Sequence, residues 1–283
     1  MKNSRKALVL AGGGITGIGW ELGILAGLAD GGLDLSDADV VIGTSAGSVV
    51  GAQLTSGVPI ENLYADQLRD ATGEIAAKLG SGFLFRLLLA NLLPGGAQKA
   101  RARLGKLALA AKTVPESERR AVIERRLPKH EWPDRKLLIT AVDAATGEFS
   151  SFDRDSGVPL VDAVAASCAV PMVWPPITIG GRHYIDGGIR SSANADLAVG
   201  CGRVVVLAPT SGSVRRSGRI SEQLATLGPK VHAAVVSPDD DARRAMGSNV
   251  LDPAFRAASA KAGRAQAASV RNRVAVAWGH PPA

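Results

Sequence analysis

The sequence predicts an α/β fold on a mostly parallel sheet, and three observations predict it. An apolar strand runs into a glycine turn and a helix at residues 6–28, and the same unit recurs at 40–55. Repeated strand–turn–helix units set their strands in parallel. Further apolar runs at 136–142 and 203–208 supply additional buried strands. The composition is globular, with 46% hydrophobic and 21% charged residues and a mean hydropathy of +0.12. That is enough apolar material for a core and too little charge for disorder. The 283 residues fit one large α/β domain, expected over 5–280.

In chain order, Lys6 to Leu10 reads as a strand and Gly12-Gly13-Gly14-Ile15-Thr16-Gly17 as its turn, with apolar positions 18, 22, 25 and 28 marking the helix that follows. Val40 to Ile42 is the second strand, ending at Gly43-Thr44-Ser45-Ala46-Gly47 before a small-residue helix that runs to about residue 55. Residues 58–128 show no strand alternation and are expected to form a helical insertion. Its helices are placed at 60–71, 83–93 and 115–126. Lys136 to Val142 returns to strand, Gly147 to Phe152 is expected to pair with it, and a helix over 158–169 is stopped by Pro171. Arg182 to Ile185 is a short strand entering the turn Asp186-Gly187-Gly188, and Arg203 to Ala208 is another buried strand. The remainder, 209–280, reads as a Ser/Gly/Arg loop at 211–219, a strand at 231–236 and Ala/Arg-rich helices over 239–272.

Composition narrows the function classes. The 33 Lys and Arg against 26 Asp and Glu give a net charge of +7, which favours anionic partners without choosing among them. The few aromatics, 4% of the chain, show no interleaving with basic residues of the kind that stacks on single strands, so nucleic acid is not expected. Cys168 and Cys201 are the only cysteines and read as small core residues, with no thiolate zinc site. Residues 7–29 carry one charge, Glu21, but seven glycines among those 23 residues break the stretch into strand, loop and helix. It is therefore read as neither signal sequence nor membrane span, and a cytoplasmic location is expected, with peripheral membrane contact open to it.

The chemistry is expected at three motifs. Gly43-x-Ser45-x-Gly47, between a buried strand and a helix, is the sequence form of a nucleophile elbow. Its glycines permit a tight turn that exposes the serine hydroxyl at a helix N-terminus, where free N–H groups favour a developing anion. Gly12, Gly14 and Gly17 fit a dinucleotide fingerprint, but the next strand ends in Gly-Thr-Ser where an acidic residue would hold the ribose, and no Gly-Lys-Ser/Thr follows for a phosphate loop. An oxyanion hole built from the backbone of Gly12, Gly13 and Gly14 is the better reading. The four histidines (His130, His183, His232 and His280) stand in no triad context, and Ser45 follows only the second strand, so Asp186 in its glycine turn is the expected partner of the serine.

Together, the Gly12–Gly17 loop, the early Gly43-x-Ser45-x-Gly47, the stretch Ala166-Ser167-Cys168-Ala169-Val170-Pro171 followed by Pro175-Pro176, and Asp186-Gly187-Gly188 resemble the patatin-like phospholipase family. The resemblance covers about residues 7–208. It implies a three-layer α/β/α fold, a Ser45–Asp186 dyad, an oxyanion hole at Gly12–Gly14, and hydrolysis of acyl esters of lipids with no cofactor or metal. Thr16 departs from the pattern, standing where the family usually carries Arg or Lys. The ester chemistry, which needs only backbone donors there, is expected to persist, and the headgroup is left open.

Two stretches of the insertion have alternative readings. Phe83 to Leu93, too short to cross a bilayer, is either a core helix or a surface that touches lipid, with Arg86, Lys99, Arg101, Arg103 and Lys106 near enough to suit an anionic interface. The arginines at 119, 120, 125 and 126 are expected on a solvated helix face, paired with Glu116, Glu118 and Glu124. The competing functional reading is a catalytically silent lipid- or nucleotide-binding protein on the same fold.

Overall fold

The computed structural model describes residues 5–70, 73–78 and 81–280. β1 (Lys6–Leu10) passes through the glycine loop into α1 (Gly14–Asp30), and β2 (Val40–Gly43) passes through Ser45 into α2 (Ala46–Leu54). The insertion is helical, as its patterning predicts: α3 (Ile60–Leu68), α4 (Ser81–Leu92), α5 (Gly96–Leu109) and α6 (Glu116–Arg126). There follow β3 (Lys136–Asp143), β4 (Phe149–Phe152), α7 (Leu160–Ser167), β5 (Ile177–Ile179) and β6 (Arg182–Asp186). The chain ends with β7 (Arg203–Leu207), α8 (Ile220–Thr226), β8 (His232–Val236), α9 (Asp240–Met246) and α10 (Arg256–Trp278).

One sheet carries these elements, in the order β5-β6-β3-β2-β1-β7-β8, with β4 also paired to β3. From β3 to β8 the strands are parallel; β4 and β6 join β3 antiparallel, and β5 joins β6 antiparallel. The parallel strands read as nearly unbroken apolar runs because both their faces are covered. Their alternation divides the core. Leu8 and Leu10 face the layer of α1, α2, α7 and α10, whereas Ala7 and Val9 face Ala195, Ala198 and Ile220 on the other side. The result is the expected three-layer α/β/α arrangement.

α1 is buried almost all round and lies tightly against α10. A Cβ on Gly23 would sit 2.1 Å from the Ala260 carbonyl oxygen, and one on Gly263 would sit 2.3 Å from that of Trp20. Only glycine allows this backbone contact. The contact ties the start of the chain, with the glycine loop, to its last helix. α10 extends beyond the expected boundary, ending at Trp278 with Gly279 at φ 90°. Val274, Ala275, Ala277 and Trp278 bury its final turns. β5 and α8 lack a sequence signal: the first is three residues long, and the second is only seven, with apolar positions at 220, 224 and 225.

Two expectations for the insertion are settled by exposure. In α4 the apolar side chains do not form a core: Phe85 is 66% and Leu92 71% exposed, and Leu88, Leu89 and Leu93 are exposed with them. The side chains of Phe83 and Leu84 lie outside the described residues. In α6 the expected solvated arginine face is corrected. Arg120 does bridge Glu124 and Asp162, but Arg119 and Arg126 point inward with Val122 and Ile123. The spacing 119, 122, 123, 126 is one helical stripe, and it is the stripe that faces the protein.

Candidate active site

β1 has β2 on one side and β7 on the other, so successive connections leave it in opposite directions. Ligands of open parallel sheets bind at the C-terminal ends of the strands around such a point. The glycine loop leaves the end of β1 and Ser45 follows the end of β2. Pro209 follows β7 and lies where a Cβ on Gly13 would meet it at 2.4 Å.

Ser45 has φ 53° and ψ −117°, a conformation that non-glycine residues rarely adopt. It is held there by its neighbours. Its N–H donates to Ser167 Oγ at 2.9 Å, and its carbonyl accepts from Ser48 Oγ at 2.6 Å and from Cys168 Sγ at 3.3 Å. This is what the Ala166–Pro171 stretch does in the fold: the end of α7 clamps the backbone of Ser45. The glycines of the elbow are needed for close approach, since a Cβ on Gly47 would lie 2.0 Å from the Leu10 carbonyl oxygen and one on Gly43 2.5 Å from Ser48 Cα.

Sheet register delivers the partner. Gly43 pairs with Ile139 of β3, so the residue two further on falls level with Ala141, and Ala141 pairs on its other side with Asp186 of β6. The structure thus brings together Ser45 and Asp186, which lie 141 residues apart in sequence. Asp186 is buried, accepts a hydrogen bond from the Gly188 N–H at 2.7 Å and faces the Ser45 hydroxyl. Burial pushes its carboxyl up to about 6, and the contacts with Ser45, the Gly188 amide and, more remotely, Arg119 only partly offset this. Gly187 lets the turn press on β3, because a Cβ there would meet Thr140 Oγ1 at 2.2 Å.

The glycine loop offers fewer donors than expected. The Gly12 N–H is already bonded to the Ser192 carbonyl at 2.8 Å, which takes it out of the expected set of three amides and leaves those of Gly13 and Gly14, with Gly14 at φ 62° opening α1. Gly17, within α1, closes the loop through its N–H to the Gly13 carbonyl at 2.9 Å. All four histidines are exposed, and none lines the cleft at Ser45. His183 contacts Thr178 on the neighbouring strand. Among the described residues no group of His, Cys, Asp and Glu could hold a metal ion.

Sequence reading missed the residue that joins these parts. Asn194, fully buried at φ 51°, donates through Nδ2 towards Thr44 Oγ1 (3.1 Å), Thr140 Oγ1 (3.3 Å) and the carbonyls of Gly187 (3.3 Å) and Ser191 (2.9 Å). Its Oδ1 accepts from Arg190 at 2.7 Å. One amide therefore fixes the serine loop, β3 and the aspartate turn relative to one another. The only signal in the sequence is an asparagine eight residues after Asp186, where a left-handed residue suits Asn.

A three-layer α/β/α fold with a serine elbow and a buried aspartate at the sheet's switch point defines a class of hydrolase-like architecture. The model of the patatin-like phospholipase family matches residues 8–199, and the chain belongs to this family, whose members are lipid acyl hydrolases. No curated protein matches the sequence significantly. Among solved structures, VipD from Legionella pneumophila aligns at 14% identity and a TM-score of 0.46, over 95% of this chain and 67% of that one. The type III effector protein ExoU aligns at 15% identity and a TM-score of 0.40, over 96% of this chain and 54% of that one.

The raised carboxyl sets the expected pH dependence. A general base must be ionised, so with Asp186 in that role kcat/KM for a neutral ester should rise as pH climbs through about 6 and level off above it. Asp186→Asn should lower turnover by about 10² to 10⁴ and abolish that limb. An unchanged limb in a folded Asp186→Asn variant would assign the ionisation elsewhere. Stability follows the opposite sense: the folded state holds this proton more tightly than the unfolded chain, so the group's contribution is fully present below the ordinary carboxylate range and is lost as pH rises through about 6.

Proposed function

We propose that the protein is a serine acyl hydrolase that cleaves carboxylic ester bonds of lipids through Ser45 and Asp186. The observation that carries this reading is the strained, clamped Ser45 facing a buried aspartate whose carboxyl is pushed up to about 6. In the reaction Ser45 Oγ attacks the ester carbonyl carbon while its proton passes to Asp186. The amides of Gly13 and Gly14 hold the resulting oxyanion. Collapse of the intermediate breaks the bond to the leaving alcohol, which takes the proton from Asp186, and leaves the acyl group on Ser45. Asp186 then removes a proton from water as it attacks the acyl-enzyme, and returns that proton to Ser45 Oγ as its bond to the acyl carbon breaks and the fatty acid leaves. A carboxylate of ordinary acidity would be a poor base for this work, and burial supplies the correction.

The insertion fits a lipid substrate. Leu87 and Leu104 of α4 and α5, with Gly188, Ile189 and Val214, border a cavity of ≈ 390 Å³ beside the aspartate turn, into which an acyl chain can be placed. The exposed apolar side chains of α4, flanked by exposed Arg86, Lys99 and Lys106, form a surface suited to resting on an anionic lipid layer. No described helix is long and apolar enough to cross a membrane.

Ser45→Ala should abolish hydrolysis of a p-nitrophenyl acyl ester and leave the far-UV circular dichroism and melting profile close to wild type. Continued turnover by the folded variant would remove Ser45 from the mechanism. An inactive wild type that fails to react with a fluorophosphonate would favour the silent binding protein.

Replacing Leu88 and Leu92, both exposed, by Ser should reduce sedimentation with liposomes containing anionic lipid and spare a short soluble ester. A fall in melting temperature with loss of both activities would show that α4 is packed core in solution.

A further inference from the structure

The cleft at Ser45 is narrow, ≈ 30 Å³, and its wall contains an arginine from the insertion. Arg119 shares it with Ser45, Cys168 and Trp174, and with the ion-paired Glu74 and Arg126. The residue is only 4% exposed, its guanidinium lies 3.9 Å over the Trp174 ring, and among the described residues its Nε and Nη1 have no hydrogen-bond partner. A buried cation without a counter-ion is costly to fold around, which is the mark of a group kept for a ligand rather than for stability.

Its neighbour makes the contrast. Arg126, about two turns along the same stripe of α6, is answered by Glu74, with Nε at 3.0 Å and a second contact through Nη2. Glu74 acts on Arg119 only at longer range, as does Asp186. Burial and the charge of Arg126 pull the Arg119 guanidinium down to about 10, so it stays charged at neutral pH. The glycine loop, residues 11–17, carries no Lys or Arg, and the Thr16 hydroxyl turns to the Val250 carbonyl at 3.4 Å. Of the two inward-facing guanidiniums of α6, Arg119 is therefore the one left for a substrate.

We propose that Arg119 determines specificity by receiving the anionic phosphate of a glycerophospholipid whose acyl ester is presented to Ser45. The site rests on the reading of Ser45 as nucleophile. A guanidinium offers planar, charge-assisted donors that match two phosphate oxygens, and inside a cleft that excludes water such bonds are strong. A neutral acylglycerol would leave Arg119 as unpaired as it is now. Glu74, held beside the cleft on Arg126, also keeps that second cation from competing for the phosphate.

The test compares dihexanoyl phosphatidic acid with dihexanoylglycerol as monomeric substrates, measuring hexanoate release by wild type, Arg119→Gln and Arg119→Lys. Wild type should prefer the phosphatidic acid by about tenfold or more in kcat/KM. Arg119→Gln should erase most of that preference, mainly through KM for the anionic ester, and Arg119→Lys should restore part of it. Equal or reversed preference in wild type overturns the proposal without recourse to any variant. So does a preference that survives Arg119→Gln, or a parallel loss on both substrates in a variant that melts normally, which is what a structural role would give. Cleavage of neither ester by wild type overturns the nucleophile reading, and this proposal falls with it.

Discussion

A serine is held at positive φ between β2 and α2, and the rest of the site is arranged around keeping it there. A non-glycine residue in that region costs about 1–3 kcal/mol and persists only where its surroundings over-determine it. Here they do: Ser167, Ser48 and Cys168 engage both backbone groups of Ser45, and the elbow glycines let α2 press on β1 and β2. The strain sets the hydroxyl beyond the end of β2, in the cleft that Gly14 also lines, and against Asp186. Relaxing it would turn the hydroxyl away from both.

The second constraint is electrostatic. Asp186 is buried with one backbone hydrogen bond and a serine hydroxyl for company, so its carboxyl is pushed up to about 6, where it is both ionised at neutral pH and basic enough to accept a proton. Full satisfaction by more donors would have made it inert. Arg119 is the complementary case, a buried cation stacked on Trp174 whose Nε and Nη1 have no hydrogen-bond partner among the described residues, in the wall of the same cleft. Both groups cost stability in the empty protein. The cost is carried by a core in which β1 is covered on both faces and α1 is locked to α10 at backbone contact.

Much of this was legible in the sequence, for a physical reason. The parallel strands are buried on both faces and so announce themselves as apolar runs, and Gly43, Gly47 and Gly187 mark places where backbones nearly touch. Those local signals locate the Ser45 elbow and the Asp186 turn. What stayed hidden depends on tertiary packing. Asn194 works through four partners scattered over 150 positions, which no window of sequence contains. The engagement of the Gly12 amide by Ser192 is a long-range pairing of the same kind. Arg119 and Arg126 sit among glutamates at helical spacing, a pattern that reads as a solvated face; only the placement of α6 against α7 and the Ser45 cleft shows that the arginine stripe points inward.

The central claim, an ester-cleaving serine that carries the acyl group, is tested most directly by trapping that group. Wild-type protein mixed with a p-nitrophenyl ester and quenched in acid within the first turnovers should gain the mass of one acyl chain, mapped by peptide fragmentation to Ser45. Release of p-nitrophenol with no covalent adduct, or an adduct on another residue, would contradict the account.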